Sequence, residues 1–156
     1  VTELDYLGAD YPALSHAQRL EILARMHRDQ ARLDAARTRL LAAIETEPSR
    51  SEPDPELDKH WDREEVACIL KVASSTARNR MLEAVQLVSR YPATLSLLES
   101  GQIGYWHALR LVEAGLGRGD AVMAVVEARV LPRAAHQSVS QFRAAINRAL
   151  AALDPQ

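Results

Sequence analysis

Seven polar residues crowd one short stretch of the chain: Lys71, Ser74, Ser75, Thr76, Arg78, Asn79 and Arg80. Amides and hydroxyls can meet base edges or phosphates, and arginine can do both. Around them, Ala67, Val72 and Ala77 fall at the spacings a helix-turn-helix requires. The first is a small residue inside helix one, the second an apolar plug at the turn, the third an inward residue early in helix two. At about 100° per residue, Ala77, Met81, Ala84, Val85 and Val88 gather on one face of a helix starting near Ser75. Ser75, Asn79 and Gln86 lie opposite, with Arg78 and Arg80 on the shoulders. Lys71 and Arg90 add charge at either end, and Glu83 is the one acid between them. The pattern predicts contact with double-stranded DNA. Lys71 and Ala73 stand in the turn where glycine and serine are commoner, and the helix runs on to about Tyr91. Leu82 points away from the inferred core, toward another protein surface. The same spacing also makes an ordinary corner in a helical bundle, so that reading stands beside the first.

Other chemistry is thinly represented. An HNH nuclease needs histidines and an Asn or His on a ββα scaffold that holds a divalent ion. Here His16, His27, His60, His107 and His136 are scattered. His16 and His27 read as solvated, His60 borders a linker, His136 falls in a loop, and His107 reads as a packed or capping residue. Glu45–Glu47 and Glu64–Glu65 read as solvated helix ends. "GLGRGD" at 115–120 lacks the Lys-Ser/Thr of a phosphate loop and reads as a helix connection. Trp61 and Trp106 could stack bases, but core anchoring is the expectation for both. The single cysteine, Cys68, rules out an internal disulfide and any multi-cysteine zinc site. Its apolar neighbours suggest a buried thiol. No catalytic residue, metal ligand or cofactor site is expected.

The net charge of −2 gives no global attraction to nucleic acid, so any such surface must be a local basic patch. Positive charge is nearly all arginine; Lys59 and Lys71 are the only lysines. No apolar run approaches the roughly 20 residues that span a bilayer. "VTELDYLGADYPAL" lacks the features of a signal peptide. A cytoplasmic protein without membrane contact is the expectation.

Helical punctuation organises the rest. An irregular lead-in occupies residues 1–13. A long helix then starts at an N-cap, Ser15, and ends before Pro48. Leu20, Leu23, Met26, Leu33, Ala36, Leu40 and Ile44 give it an apolar stripe. Met26, Leu33 and Leu40 are seven apart, which invites a seam between two copies of the chain. Packing of the helix on its own domain is the alternative. Residues 48–61 read as an acidic, proline-bearing linker. Residues 62–156 read as a helical bundle that starts with Asp62 as cap and Glu65 completing a capping box. Pro92, Gly101, Gly115 and Pro132 mark helix ends, and Ser138 or Ser140 caps the last helix, which stops at Asp154 and Pro155. No strand alternation stands out. The fold class is all-α: a long N-terminal helix, then a compact bundle of about five helices containing the helix-turn-helix-like corner.

Three motifs then come together. They are the corner "EVACILKVASSTARNRMLEA", the step "PATLSLLESGQIGYWHA", and the ending "VEARVLPRAAHQSVSQFRAAINRALAALDP". Over about 62–155 they resemble the 13E12 repeat family, a domain of unknown function. Gly104 replaces a usual small polar residue and Ala73 a usual serine. Members of that family commonly carry an HNH endonuclease domain after this region. The resemblance therefore implies a DNA-directed protein, with this chain as a non-catalytic part that binds or positions DNA. A protein-interaction or dimerisation module is the alternative.

Overall fold

Ser15 starts the longest element as expected. Its hydroxyl accepts from Gln18 N (3.2 Å), and the Gln18 side chain accepts from Ser15 N (2.9 Å). The computed structural model describes residues 4–48, 50 and 54–153. After a short 3-10 turn at Tyr11–Ala13, the helices are α1 (His16–Thr46), α2 (Pro55–Leu70), α3 (Ser74–Arg90), α4 (Pro92–Glu99), α5 (Tyr105–Ala114), α6 (Asp120–Ala134) and α7 (Val139–Leu153). No strand occurs among the described residues, so the protein is all-α, a long helix followed by a helical bundle. None of these helices is long and apolar enough to cross a membrane.

The 31 residues of α1 extend for about 46 Å at 1.5 Å per residue. Its first half is tied to the chain that precedes it but stays largely exposed. The Tyr6 hydroxyl donates to Asp29 (2.6 Å), and Arg19 donates to the Tyr11 and Pro12 carbonyls. Farther along, α1 buries Ala31, Ala35, Thr38 and Ala42. These small side chains let α3 approach closely. Leu33 and Leu40 face outward, 54% and 62% exposed, while Met26 is half-buried. The bundle thus uses a stripe of α1 other than the heptad.

Two apolar cores form on α3. The larger gathers Leu87, Tyr91, Leu95, Leu98, Ile103, Leu111, Met123, Val126, Phe142 and Ile146. The smaller joins α1, α2 and the start of α3 through Leu41, Val66, Ala67, Ala77, Met81 and Ala84, with Val72 packed against it.

Several boundaries differ from the sequence reading. Helix α2 begins inside the expected linker. Asp54 caps it, accepting from Leu57 N (3.3 Å), and Pro55 takes the first helical position. Proline belongs there because its missing N–H would lack a partner anyway. Asp62 is therefore mid-helix, where it pairs with Arg50 (2.7 Å). Linker residues 49 and 51–53, and the predicted stop at 154–155, lie outside the described residues. Pro132 does not end α6, which continues to Ala134. With Val66 and Ala67 facing the core, Cys68 turns outward on α2 and is exposed. Trp61 and Trp106 are both 58% exposed, so neither anchors a core. Val88 is 41% exposed because the buried line of α3 runs through Met81, Ala84 and Leu87.

Other expectations are met. Gly101 follows α4 with φ +77°, a conformation that favours glycine, and a Cβ there would press on Arg28. Ser138 caps α7, trading hydrogen bonds with Gln141 (3.2 and 2.9 Å). His107 is a capping residue: its Nδ1 accepts from Gly104 N (3.3 Å) and its Nε2 meets the Gln137 carbonyl (2.8 Å). "GLGRGD" is a connection held by Arg90. That guanidinium donates to the Gly115 and Arg118 carbonyls (3.1 and 2.7 Å) and pairs with Asp120 (2.7 Å).

Candidate nucleic-acid interface

The turn between α2 and α3 is closed by Lys71 in the left-handed region, φ +55°. Val72 N donates back to the Ala67 carbonyl (3.0 Å). Ala67, Val72 and Ala77 meet in the smaller core, as their spacing requires. The α3 N-cap is Ala73, which offers no side-chain cap. Ser74 does not cap either; its hydroxyl donates to Glu64 (2.9 Å) and so brings a carboxylate to the corner.

The seven candidate residues divide into two groups. Lys71, Ser74, Ser75, Arg78 and Asn79 are exposed, whereas Thr76 and Arg80 are half-buried. The helix pitch puts Arg78 and Arg80 about 200° apart. Arg78 has no hydrogen bond or ion pair among the described residues. Arg80 and Thr76 turn instead into a cleft of about 400 Å³ between α1, α3 and α5, with Arg37, Glu83, Tyr105 and Trp106 on its walls. Asn79 stands on the crest of α3, lining both this cleft and a second groove toward Glu113 and Leu116.

The cleft has mixed electrostatics. Burial raises the Glu83 carboxyl above its ordinary value; the Tyr105 hydroxyl, 3.5 Å away, opposes the shift, Glu113 adds to it, and Arg80 opposes it. Burial also pushes the Tyr105 phenol up to about 12, with the Glu83 charge adding to the effect. A cleft with two arginines and two acids, Asp34 and Glu83, is not a phosphate site by charge alone.

Beyond Asn79 the outward face of α3 changes character. Leu82 is 39% exposed and shares a groove with Glu45, Glu47 and Lys59. Glu45, expected to be solvated, is instead buried and paired with Arg63. This leaves Glu47 and Lys59 as the charges of that groove, whereas Lys71 and Arg78 stand exposed around the corner and the opening turns of α3. Sequence reasoning does not find Arg37 or the rim residue Trp106 as neighbours of Arg80. Arg37 sits on a different helix far away in sequence, and no local pattern links the two. Among the described residues, no three His, Cys, Asp or Glu side chains are grouped to hold a metal ion. No protein-family model, curated protein or solved structure matches the chain. The likeness to the 13E12 repeat family rests on the quoted motifs.

Proposed function

We propose that this chain binds or positions DNA without a catalytic centre of its own, as the region ahead of an HNH endonuclease domain would. One observation carries the reading: Lys71, Ser75, Arg78 and Asn79 are exposed together at the start of α3, while Ala77 and Met81 on its other side are wholly buried. A helix held in this manner can present its first turns to a major groove. Arg78→Ala should weaken duplex binding by about 1–3 kcal/mol if the arginine meets a base edge. Asn79→Ala should blur sequence preference more than it lowers affinity. Arg80→Ala, altering a residue turned into the cleft, should have the smallest effect of the three. Fluorescence anisotropy on random and genomic duplexes measures all three. An Arg78→Ala variant that binds like wild type would end this reading.

A second reading, association between copies, is favoured by the exposure of Leu33 and Leu40. It requires a dimer mass in sedimentation that Leu33→Glu converts to monomer.

A further inference from the structure

Charge is unevenly distributed along this chain. Residues 121–153 carry Arg129, Arg133, Arg143 and Arg148 against one acid, Glu127. Glu127 is itself buried, accepting from Thr94 N and Oγ1. Arg129 and Arg133 lie one turn apart on the same face of α6. With Arg148 of α7 they line a groove of about 450 Å³ between the two helices. The remaining walls are Val130, Gln137, Ala145 and Ala149, so no acid lines it. None of the three guanidiniums has a hydrogen bond or ion pair among the described residues.

Three arginines around one groove repel each other; the C-terminal end of α6 favours Arg133, but no acidic side chain lines the groove to offset the rest. A second feature points the same way. The Gln137 side-chain oxygen is buried without a hydrogen-bond partner. The same side chain lines the groove, and its amide carries N–H donors that suit an anion there. Guanidinium groups form paired hydrogen bonds with phosphate oxygens. Small alanines in the groove leave room for the bulk of a phosphodiester.

We infer that the α6–α7 groove seats the phosphate backbone of duplex DNA, through Arg129, Arg133 and Arg148. The choice of duplex rests on the function proposed above, but the residues are separate from the α2–α3 corner. This surface supplies affinity independent of sequence, since phosphate contacts position a protein and base contacts specify.

The test uses a labelled duplex in anisotropy titrations at several salt concentrations. Wild type is compared with Arg129→Ala/Arg133→Ala/Arg148→Ala, with the matching triple lysine variant, and with Arg78→Ala/Asn79→Ala. The triple alanine variant should bind about tenfold or more weakly at low salt. Its log–log salt slope should be shallower by about 2–3, near one for each phosphate no longer neutralised. The triple lysine variant should keep most of the salt-dependent affinity. Thermal melts check folding, and the single change Arg133→Glu gives a second variant should the triple one be unstable. Wild-type affinity and slope in the triple alanine variant would overturn the inference. So would a wild type that binds no duplex, or one that binds inorganic phosphate in calorimetry without binding duplex. Weaker binding by the groove variant, with wild-type binding by Arg78→Ala/Asn79→Ala, would sustain the groove and reject the corner.

Discussion

Glu127 of α6 caps the start of α4 from outside it. Its Oε2 accepts from Thr94 N at 3.2 Å and from Thr94 Oγ1 at 2.7 Å, with Thr94 fully buried. The α4 N-cap position, Tyr91, supplies no side-chain cap of its own. Glu127→Ala should therefore leave two buried donors without an acceptor and cost about 1–3 kcal/mol for each. A thermal melt with no loss of stability would contradict this account of the α4 start.

Gly115 and Tyr91 make a second close relationship. A Cβ on Gly115 would stand 2.0 Å from the Tyr91 hydroxyl. That hydroxyl is buried without a hydrogen-bond partner among the described residues. Gly115→Ala should destabilise by about 1–3 kcal/mol, as overpacked cores do. Tyr91→Phe removes an unpaired polar atom and should be neutral or stabilising. In the Tyr91→Phe background, Gly115→Ala should cost less. Additive effects in a denaturant double-mutant cycle would refute the contact.

Glu83 predicts a pH effect. Its carboxyl is raised above the ordinary value of 4.5, chiefly by burial. In the window between the ordinary and raised values, the folded state binds more protons than the unfolded state. Stability from this group is therefore lost as pH rises through that window. At neutral pH, Glu83→Gln should raise the melting temperature. Below the window, where both states are protonated, the advantage should vanish. Melts at acidic and neutral pH measure the difference, and an equal gain at both would exclude the carboxyl as its source.

Lys71 adopts a left-handed backbone conformation, φ +55°, that glycine takes without strain. Lys71→Gly should stabilise the fold by about 1 kcal/mol. Under the proposed function it should also weaken duplex binding at low salt, because a cation leaves the corner. Opposite signs in the melt and the anisotropy titration are the expected result. A less stable variant would show that the turn depends on the lysine side chain.

Much of the architecture is legible in the sequence because helices announce their ends locally. Ser15, Gly101 and Ser138 all act as their positions suggest. The differences arise where two principles compete. Pro55 has the look of a linker residue, yet beside Asp54 it opens a helix. Residue type alone places Trp61, Trp106 and Cys68 in the interior, whereas helix phase turns all three outward. The candidate site is legible only in part. Spacing shows that Ala77 and Met81 face inward, but not that α1 and α5 enclose Arg80. Nor can local spacing show that Arg148 meets Arg129 and Arg133 across a groove, since that depends on how α7 returns against α6.

The formal charge of −2 conceals an uneven distribution over the surface. It averages over unlike surfaces: Glu47 and Lys59 share one groove beside α3, while three arginines without an ion-pair partner among the described residues line the groove between α6 and α7. A charged surface senses the protein only within about 10 Å at 0.1 M salt. What it meets is therefore one end rather than the sum. At that range the arginine groove would act on an approaching polyanion through its own charge, whatever the net sign of the whole chain.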